Sequence, residues 1–111
     1  MLLRLTEGDR PSSGILQVYD GISSWGGVCW SGPFHTRHVD VACRQLGYPW
    51  ALSYNKATPE EDMDYFIRKI ICGHRLLDSI EDCTLYGWIG EGSMSCNYAL
   101  RLVCFEGEFI E

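Results

Sequence analysis

The sequence predicts a small α+β domain, several short strands curled around one principal helix and stapled by disulfides. Three observations predict it. Six cysteines stand at positions 29, 43, 72, 83, 96 and 104 of a 111-residue chain, an even number spread through its length. One stretch alone carries strong helical periodicity, with Val39, Ala42, Cys43 and Leu46 at i, i+3, i+4 and i+7. The other apolar residues fall in short runs separated by turn formers, as strands do.

Taken in order, Leu3-Arg4-Leu5 alternates as a brief first strand, and Glu7 to Gly14 after it is rich in turn formers, Gly8, Pro11, Ser12, Ser13 and Gly14. Ile15 to Tyr19 reads as a second strand closed by a hairpin turn at Asp20-Gly21. Trp25 to Cys29 is the returning strand, and its Gly26-Gly27 pair signals a bulge or a close backbone approach. Ser31-Gly32-Pro33 breaks the chain. Thr36 is placed to cap a helix that runs to Leu46, with Gly47 at its C-terminal cap. Residues 50 to 66 have no clean period and carry Glu60, Glu61, Asp62 and Asp64, so they read as a long loop, although Tyr65 and Phe66 read equally as the first core residues of the next strand. Ile67, Ile70, Ile71 and Cys72 make a further strand. Ser79 to Cys83 makes one helical turn, and Leu100 to Cys104 a last strand after glycine-rich connections.

The cysteine spacing is C-x13-C-x28-C-x10-C-x12-C-x7-C, with no C-x-x-C. A structural zinc site draws thiolates in close pairs to within about 2.3 Å of one ion. Isolated cysteines with His35, His38 and His74 make a poor set for that. Three disulfides in an oxidising compartment are the better reading, with an intracellular metal-bound domain as the alternative. Spacing alone does not choose among the ways six cysteines can pair. A bridge does explain why Cys43 sits in the apolar seam of the helix, since its sulfur must reach a partner across the core. Each such bridge contributes about 2–5 kcal/mol in a small secreted domain.

A net charge of −6 argues against nucleic acid, which requires a basic face. No apolar run approaches the roughly 20 residues that span a bilayer, so direct membrane insertion is not expected. The opening MLLRLTEGDR is too short and too soon charged to be a signal peptide, and Met1 reads as the start of a segment cut from a longer chain. There is no G-x-S-x-G, no H-E-x-x-H and no phosphate-binding glycine loop, and bridges would use every thiol. No enzymatic activity is expected of this chain by itself, although a larger parent could carry a catalytic domain.

Several blocks then resemble one family in register: the scavenger receptor cysteine-rich domain, group A, with six cysteines. GILQVYDG resembles its G-R-V-E-V strand and turn, WGGVC its W-G-T-V-C, and VDVACRQLGYPW its V-V-C-R-Q-L-G-[YF] block. LRL, IRKIIC, SIEDC and the LVC ending complete the match, over about residues 3 to 104 of a single domain at 1–111. The resemblance implies the pairing Cys29–Cys96, Cys43–Cys104 and Cys72–Cys83. It also implies a curved, antiparallel-type sheet cradling the helix, with long loops on one side. By the same token the chain would be an extracellular ligand-binding module of a larger secreted or membrane-anchored receptor-type protein.

One departure stands out. Many relatives bind ligand through calcium, held by an Asp pair after the first cysteine and an acidic residue shortly before the last. Here those positions read Trp30-Ser31 and Tyr98-Ala99, with no acid, whereas calcium takes about 6–8 oxygen ligands. No metal and no cofactor is expected; the acidic loop is the one place that could gather calcium instead. The expected partner-binding residues are Trp30, Tyr54, Glu60, Glu61, Asp62, Asp64, Tyr65, Arg68 and Arg75, meeting a protein ligand. Arg68 and Lys69, as strand neighbours, are expected on opposite faces. Charge-driven binding of polyanions or microbial surfaces is the alternative, and it needs the basic residues to converge. Trp88 reads as a structural family tryptophan.

Overall fold

Short apolar runs with turns between them must pair with one another to satisfy their backbone, and they do so in two sheets. The computed structural model describes residues 1–30, 36–87 and 96–107. Strand β1 (Leu3–Thr6) lies antiparallel to β2 (Ser13–Tyr19), with Leu3 opposite Val18 and Thr6 opposite Ile15. β2 is the pivot of the main sheet. Its first half pairs with β8 (Ala99–Cys104) and its second half with β3 (Trp25–Val28), both antiparallel. β8 and β3 meet again at an isolated bridge, Cys29 opposite Ala99, so the sheet curls on itself. The full order is β4-β8-β2-β3-β5, with β1 on β2. The pairing of β3 with β5 (Tyr65–Ile67) is parallel, an exception to the antiparallel pattern.

The turn after β2 is wider than Asp20-Gly21 predicts. Asp20 Oδ1 accepts from the backbone N–H groups of Ile22, Ser23 and Ser24 at 2.7, 2.8 and 3.1 Å, and the Asp20 N–H donates to Ser24 O. An aspartate that satisfies three amides stabilises a five-residue loop, and those bonds, Ile22 first, hold its carboxyl below the usual range.

Helix α1 (Thr36–Gln45) buries Val39, Ala42 and Cys43 as the periodicity predicts. Thr36 is its first residue rather than its cap, and the preceding residue lies outside those described. At the other end Gly47 adopts φ 100°, Tyr48 N–H donates to Cys43 O, and Gly47 N–H donates to Arg44 O. That paired closure needs a left-handed residue, which glycine supplies without steric cost. His38, Asp40 and Val41 are buried as well: Asp40 meets β4 (Ala51–Ala57), where its Oδ1 accepts the Ala51 N–H at 2.8 Å, His38 packs against Cys72, whose N–H its Nδ1 accepts, and Val41 joins the core.

β4 corrects the sequence expectation of a loop over 50–66. It pairs antiparallel with β8, Ala57 opposite Ala99 and Asn55 opposite Arg101, with an irregularity between Ala51 and Ser53. It is an edge strand of mixed exposure, so it lacks the period-two alternation that marks a half-buried strand. The single strand expected over Ile67–Cys72 is likewise two. Arg68 is a corner between β5 and β6 (Lys69–Ile71), and β6 pairs antiparallel with β7 (Thr84–Tyr86) in a second sheet. A 3₁₀ turn, Ile80–Asp82, follows a cap at Ser79, whose hydroxyl accepts the Glu81 N–H.

Leu16, Val18, Val28, Val39, Val41, Ile67, Ile80, Leu100 and Leu102 fill the space between sheet and helix. Disulfides cross it: Cys43–Cys104 ties the helix to the last strand, Cys29–Cys96 ties β3 to the segment before β8, and Cys72–Cys83 closes the small sheet. Gly26 and Gly27 bring β3 close to β5. A Cβ on Gly26 would lie 2.5 Å from the Phe66 ring, and one on Gly27 would lie 2.8 Å from the Met63 methyl.

Candidate functional site

The Cys29–Cys96 bridge brings the segment after β3 beside the segment before β8, and two aromatic residues meet there. Trp30 N–H donates to Tyr98 O at 2.9 Å. The Trp30 ring stands 6.1 Å from that of Tyr54 on β4, and Lys56 Nζ sits 4.6 Å over the Tyr98 ring. Tyr98 is exposed, and Trp30 and Tyr54 are half-buried, so three rings and one ammonium make a partly exposed surface at this end of the sheet. Of the residues expected to contact a partner, the fold therefore joins Trp30 and Tyr54. Tyr98 and Lys56 escaped sequence reading. Tyr98 stood out only as a replaced carboxylate, and Lys56 lay within a stretch read as loop.

The loop between β4 and β5 carries Glu60, Glu61, Asp62 and Asp64, all exposed. It is tied down where Glu60 N–H donates to Glu7 Oε1 at 2.9 Å, where Met63 Sδ accepts from Gln17 Nε2 at 3.3 Å, and where Asp64 O accepts the Gly27 N–H at 2.8 Å. Glu61 and Asp62 line a cleft together with Tyr65 and Asn97. Of the two roles open to Tyr65, a loop contact or the first core residue of the next strand, the fold gives it the second, as a 7% exposed strand residue. Its ring packs with Ile15, Cys29 and Ala99, and burial pushes its hydroxyl pKa up. The neighbouring Phe66 is core.

Apart from Lys56, the basic residues expected to form a patch do not gather around this site. Arg75 reaches buried Asp40 at 3.4 Å, and Arg44 pairs with Asp78 at 2.9 Å. Arg37 donates to Cys72 O, and Arg10 pairs with Glu106. Buried His38 accepts the Cys72 N–H at Nδ1. Arg68 and Lys69 line one groove with Ile71 and Tyr86 on the small sheet. Arg68 is a corner, so strand alternation does not run through it. Arg68 and Arg75 thus belong to separate neighbourhoods, neither of them the Trp30 surface.

Among the described residues, those at the positions where the resemblance places calcium ligands offer that ion no carboxylate. Trp30 and Tyr98 present rings, Ala99 is buried and apolar, and Ser31 lies outside the described residues. Among the described residues no three or more His, Cys, Asp or Glu side chains are grouped to hold a metal, the acidic loop included. Trp88 and His35 also lie outside the described residues.

The family profile described as the scavenger receptor cysteine-rich domain matches residues 6–105. The third such domain of murine neurotrypsin superposes with a TM-score of 0.72 at 23% identity, over 99% of this chain and 98% of that one. The domain of mouse MARCO, in its dimeric form, superposes with a TM-score of 0.67 at 22% identity, over 92% of this chain and 93% of that one. At those identities the likeness is one of fold. With a profile match over almost its whole length, and with three bridges joining its six cysteines, the chain belongs to the scavenger receptor cysteine-rich family in its six-cysteine form.

Proposed function

We propose that this domain is a protein-recognition module within a larger secreted or membrane-anchored protein, and that it binds its ligand without calcium. Domains of this family are extracellular and have no catalytic activity of their own. No helix among the described residues is long and apolar enough to cross a membrane. The observation that carries the reading is the 2.9 Å bond from Trp30 N–H to Tyr98 O. It joins two positions where calcium-binding relatives carry carboxylates and where this chain carries rings. Tryptophan and tyrosine offer large contact areas at a small cost in rotamer entropy, and they are enriched where interfaces concentrate their energy.

Polyanion binding is the second reading, favoured by the Arg68–Lys69 groove. It ranks lower because Arg10, Arg44 and Arg75 are engaged by carboxylates, and two adjacent cations release few counterions. Two measurements test the ranking. The oxidised domain is passed over immobilised heparin and dextran sulfate across a salt series, with and without calcium, and no retention near physiological salt is expected. Retention that falls steeply with salt would put polyanions first, and retention that needs calcium would sink the calcium-independent mode. In parallel, the domain and its Trp30→Ala/Tyr98→Ala variant are screened against an array of extracellular proteins. The ligands of the parent domain should be lost by the variant.

A further inference from the structure

Strands β6 and β7 set Lys69 opposite Tyr86, Ile70 opposite Leu85 and Ile71 opposite Thr84. Opposed residues of an antiparallel pair share a face, and so do alternate residues of one strand. Ile70 and Leu85 pack into the core, so Lys69, Ile71, Thr84 and Tyr86 occupy the outer face of the small sheet. Arg68 joins them from the corner, and with Lys69, Ile71 and Tyr86 it lines a groove of about 380 Å³. Sites that hold small ligands begin at about that size.

The cations of this groove differ from every other in the chain. Each remaining lysine and arginine holds a carboxylate, a carbonyl, an amide or a ring. Arg68 and Lys69 are exposed neighbours, and neither side chain has a partner among the described residues. Like charges on adjacent residues repel, and an anion set between them relieves that repulsion. The rest of the lining is apolar or aromatic, since Ile71 is half-buried and Tyr86 is 51% exposed.

Backbone contacts hold this platform in place. Arg68 N–H donates to Tyr86 O at 2.7 Å, and the Cys72–Cys83 bridge closes the sheet beyond Ile71. Helix α1 grips Cys72 twice: Arg37 Nε donates to its carbonyl at 2.9 Å, and His38 Nδ1 accepts its N–H at 2.8 Å. A surface fixed before binding loses little freedom when a partner arrives.

The lining also selects among anions. A sulfated polysaccharide gains its affinity from many cations at once, and two supply little of it. A carboxylate that travels with an aromatic side chain uses both halves of the groove. Lys69 and Ile71 lie two residues apart on one face, about 6.7 Å along the strand, and an extended partner segment repeats at the same interval. The net charge of −6 repels an acidic partner from afar, but charges beyond about 8 Å are largely screened at physiological salt, so the two local cations decide.

We propose that this groove receives an acidic side chain of the protein partner, with an aromatic side chain two residues along the same extended segment lying on Ile71 and Tyr86. This rests on the reading of the domain as a protein-recognition module, and not on the Trp30 surface.

The test is a titration of the ¹⁵N-labelled full chain with acetyl-Gly-Glu-Ser-Phe-Gly-amide, and with the same peptide carrying glutamine for glutamate. The glutamate peptide should shift the amides of Arg68, Lys69, Ile71 and Tyr86. It should bind about fivefold or more tightly than the glutamine peptide, the difference expected of a charge-assisted contact. Arg68→Gln/Lys69→Gln should erase that preference, and Tyr86→Ala should weaken both peptides about threefold. Both variants change exposed side chains, and the unshifted remainder of the spectrum reports that the fold is kept. Equal binding of the two peptides would overturn the acidic contact. Shifts confined to Trp30 and Tyr98 would overturn the groove and leave the aromatic surface standing. A heparin hexasaccharide that shifts the groove amides and binds more tightly than the glutamate peptide would hand the groove to polyanions. No shift at about 5 mM peptide, where a millimolar contact is visible, would overturn the proposal and leave the recognition reading to the array screen.

Discussion

Replacing Cys43 and Cys104 by alanine should cost this domain about 4 kcal/mol, and the figure follows from how the bridges interlock. The two residues are 61 apart in sequence. With the Cys29–Cys96 bridge intact, however, the chain already has a shorter path between them: 14 residues from Cys43 back to Cys29, and 8 from Cys96 on to Cys104. A loop of about 22 residues corresponds to about 3.4 kcal/mol of loop-closure entropy at 25 °C. The full separation would have suggested about 4.3 kcal/mol by the same relation. Both sulfurs are buried, at 0% and 1% exposure, so truncation adds a packing loss of about 1 kcal/mol. The Cys72–Cys83 bridge spans 11 residues, worth about 2.8 kcal/mol on the same relation. Urea unfolding of the parent and both double-alanine variants, followed by tryptophan fluorescence without reductant, checks the ordering. If Cys43→Ala/Cys104→Ala costs no more than Cys72→Ala/Cys83→Ala, loop entropy is the wrong account. The helix would then be held to the last strand by apolar packing alone.

Three further outcomes are expected. Gly26→Ala places a methyl 2.5 Å from the Phe66 ring and should cost about 1–3 kcal/mol in equilibrium unfolding, part of it recovered in the Gly26→Ala/Phe66→Leu double variant. Asp40→Ala strands the Ala51 N–H in the interior and should cost about 1–3 kcal/mol, whereas Arg75→Ala, which removes its exposed ion-pair partner, should cost at most about 1 kcal/mol; equal losses would refute the distinction. Asp20→Ala should lower the melting temperature at neutral pH. Because the folded-state pKa of Asp20 lies below 3.8, its contribution is present above that value and is lost as pH falls through the folded one, so thermal melts should converge in acid.

Periodicity and spacing were legible wherever a residue's role is local. The helix and its glycine stop followed from side-chain spacing and one left-handed residue, and the close approach at Gly26-Gly27 followed from two absent side chains in a strand. The 50–66 stretch was misread because an edge strand need not alternate. Its seven residues Ala51–Ala57 are held by β8, a strand more than forty residues away in sequence. The break at Arg68 was equally silent, since three residues on either side are too few to show a period. Tyr65 could be read as a loop contact or as the first core residue of the next strand, and the choice depends on Ile15, Cys29 and Ala99, all distant in sequence.

By itself the sequence determined the class of domain, the need for bridges, the helix and its glycine stop, and the absence of carboxylates where the resemblance places calcium ligands. Those are properties of composition, local spacing and chemistry at single positions. Only the tertiary structure decided that Trp30, Tyr54 and Tyr98 form one surface, that Arg68 and Lys69 share a groove, and that the buried Tyr65 lines a cleft with Glu61 and Asp62. Each of these depends on where non-local strands pair and how far the sheet curls. Many weak contacts acting together set that geometry, and no single residue states it.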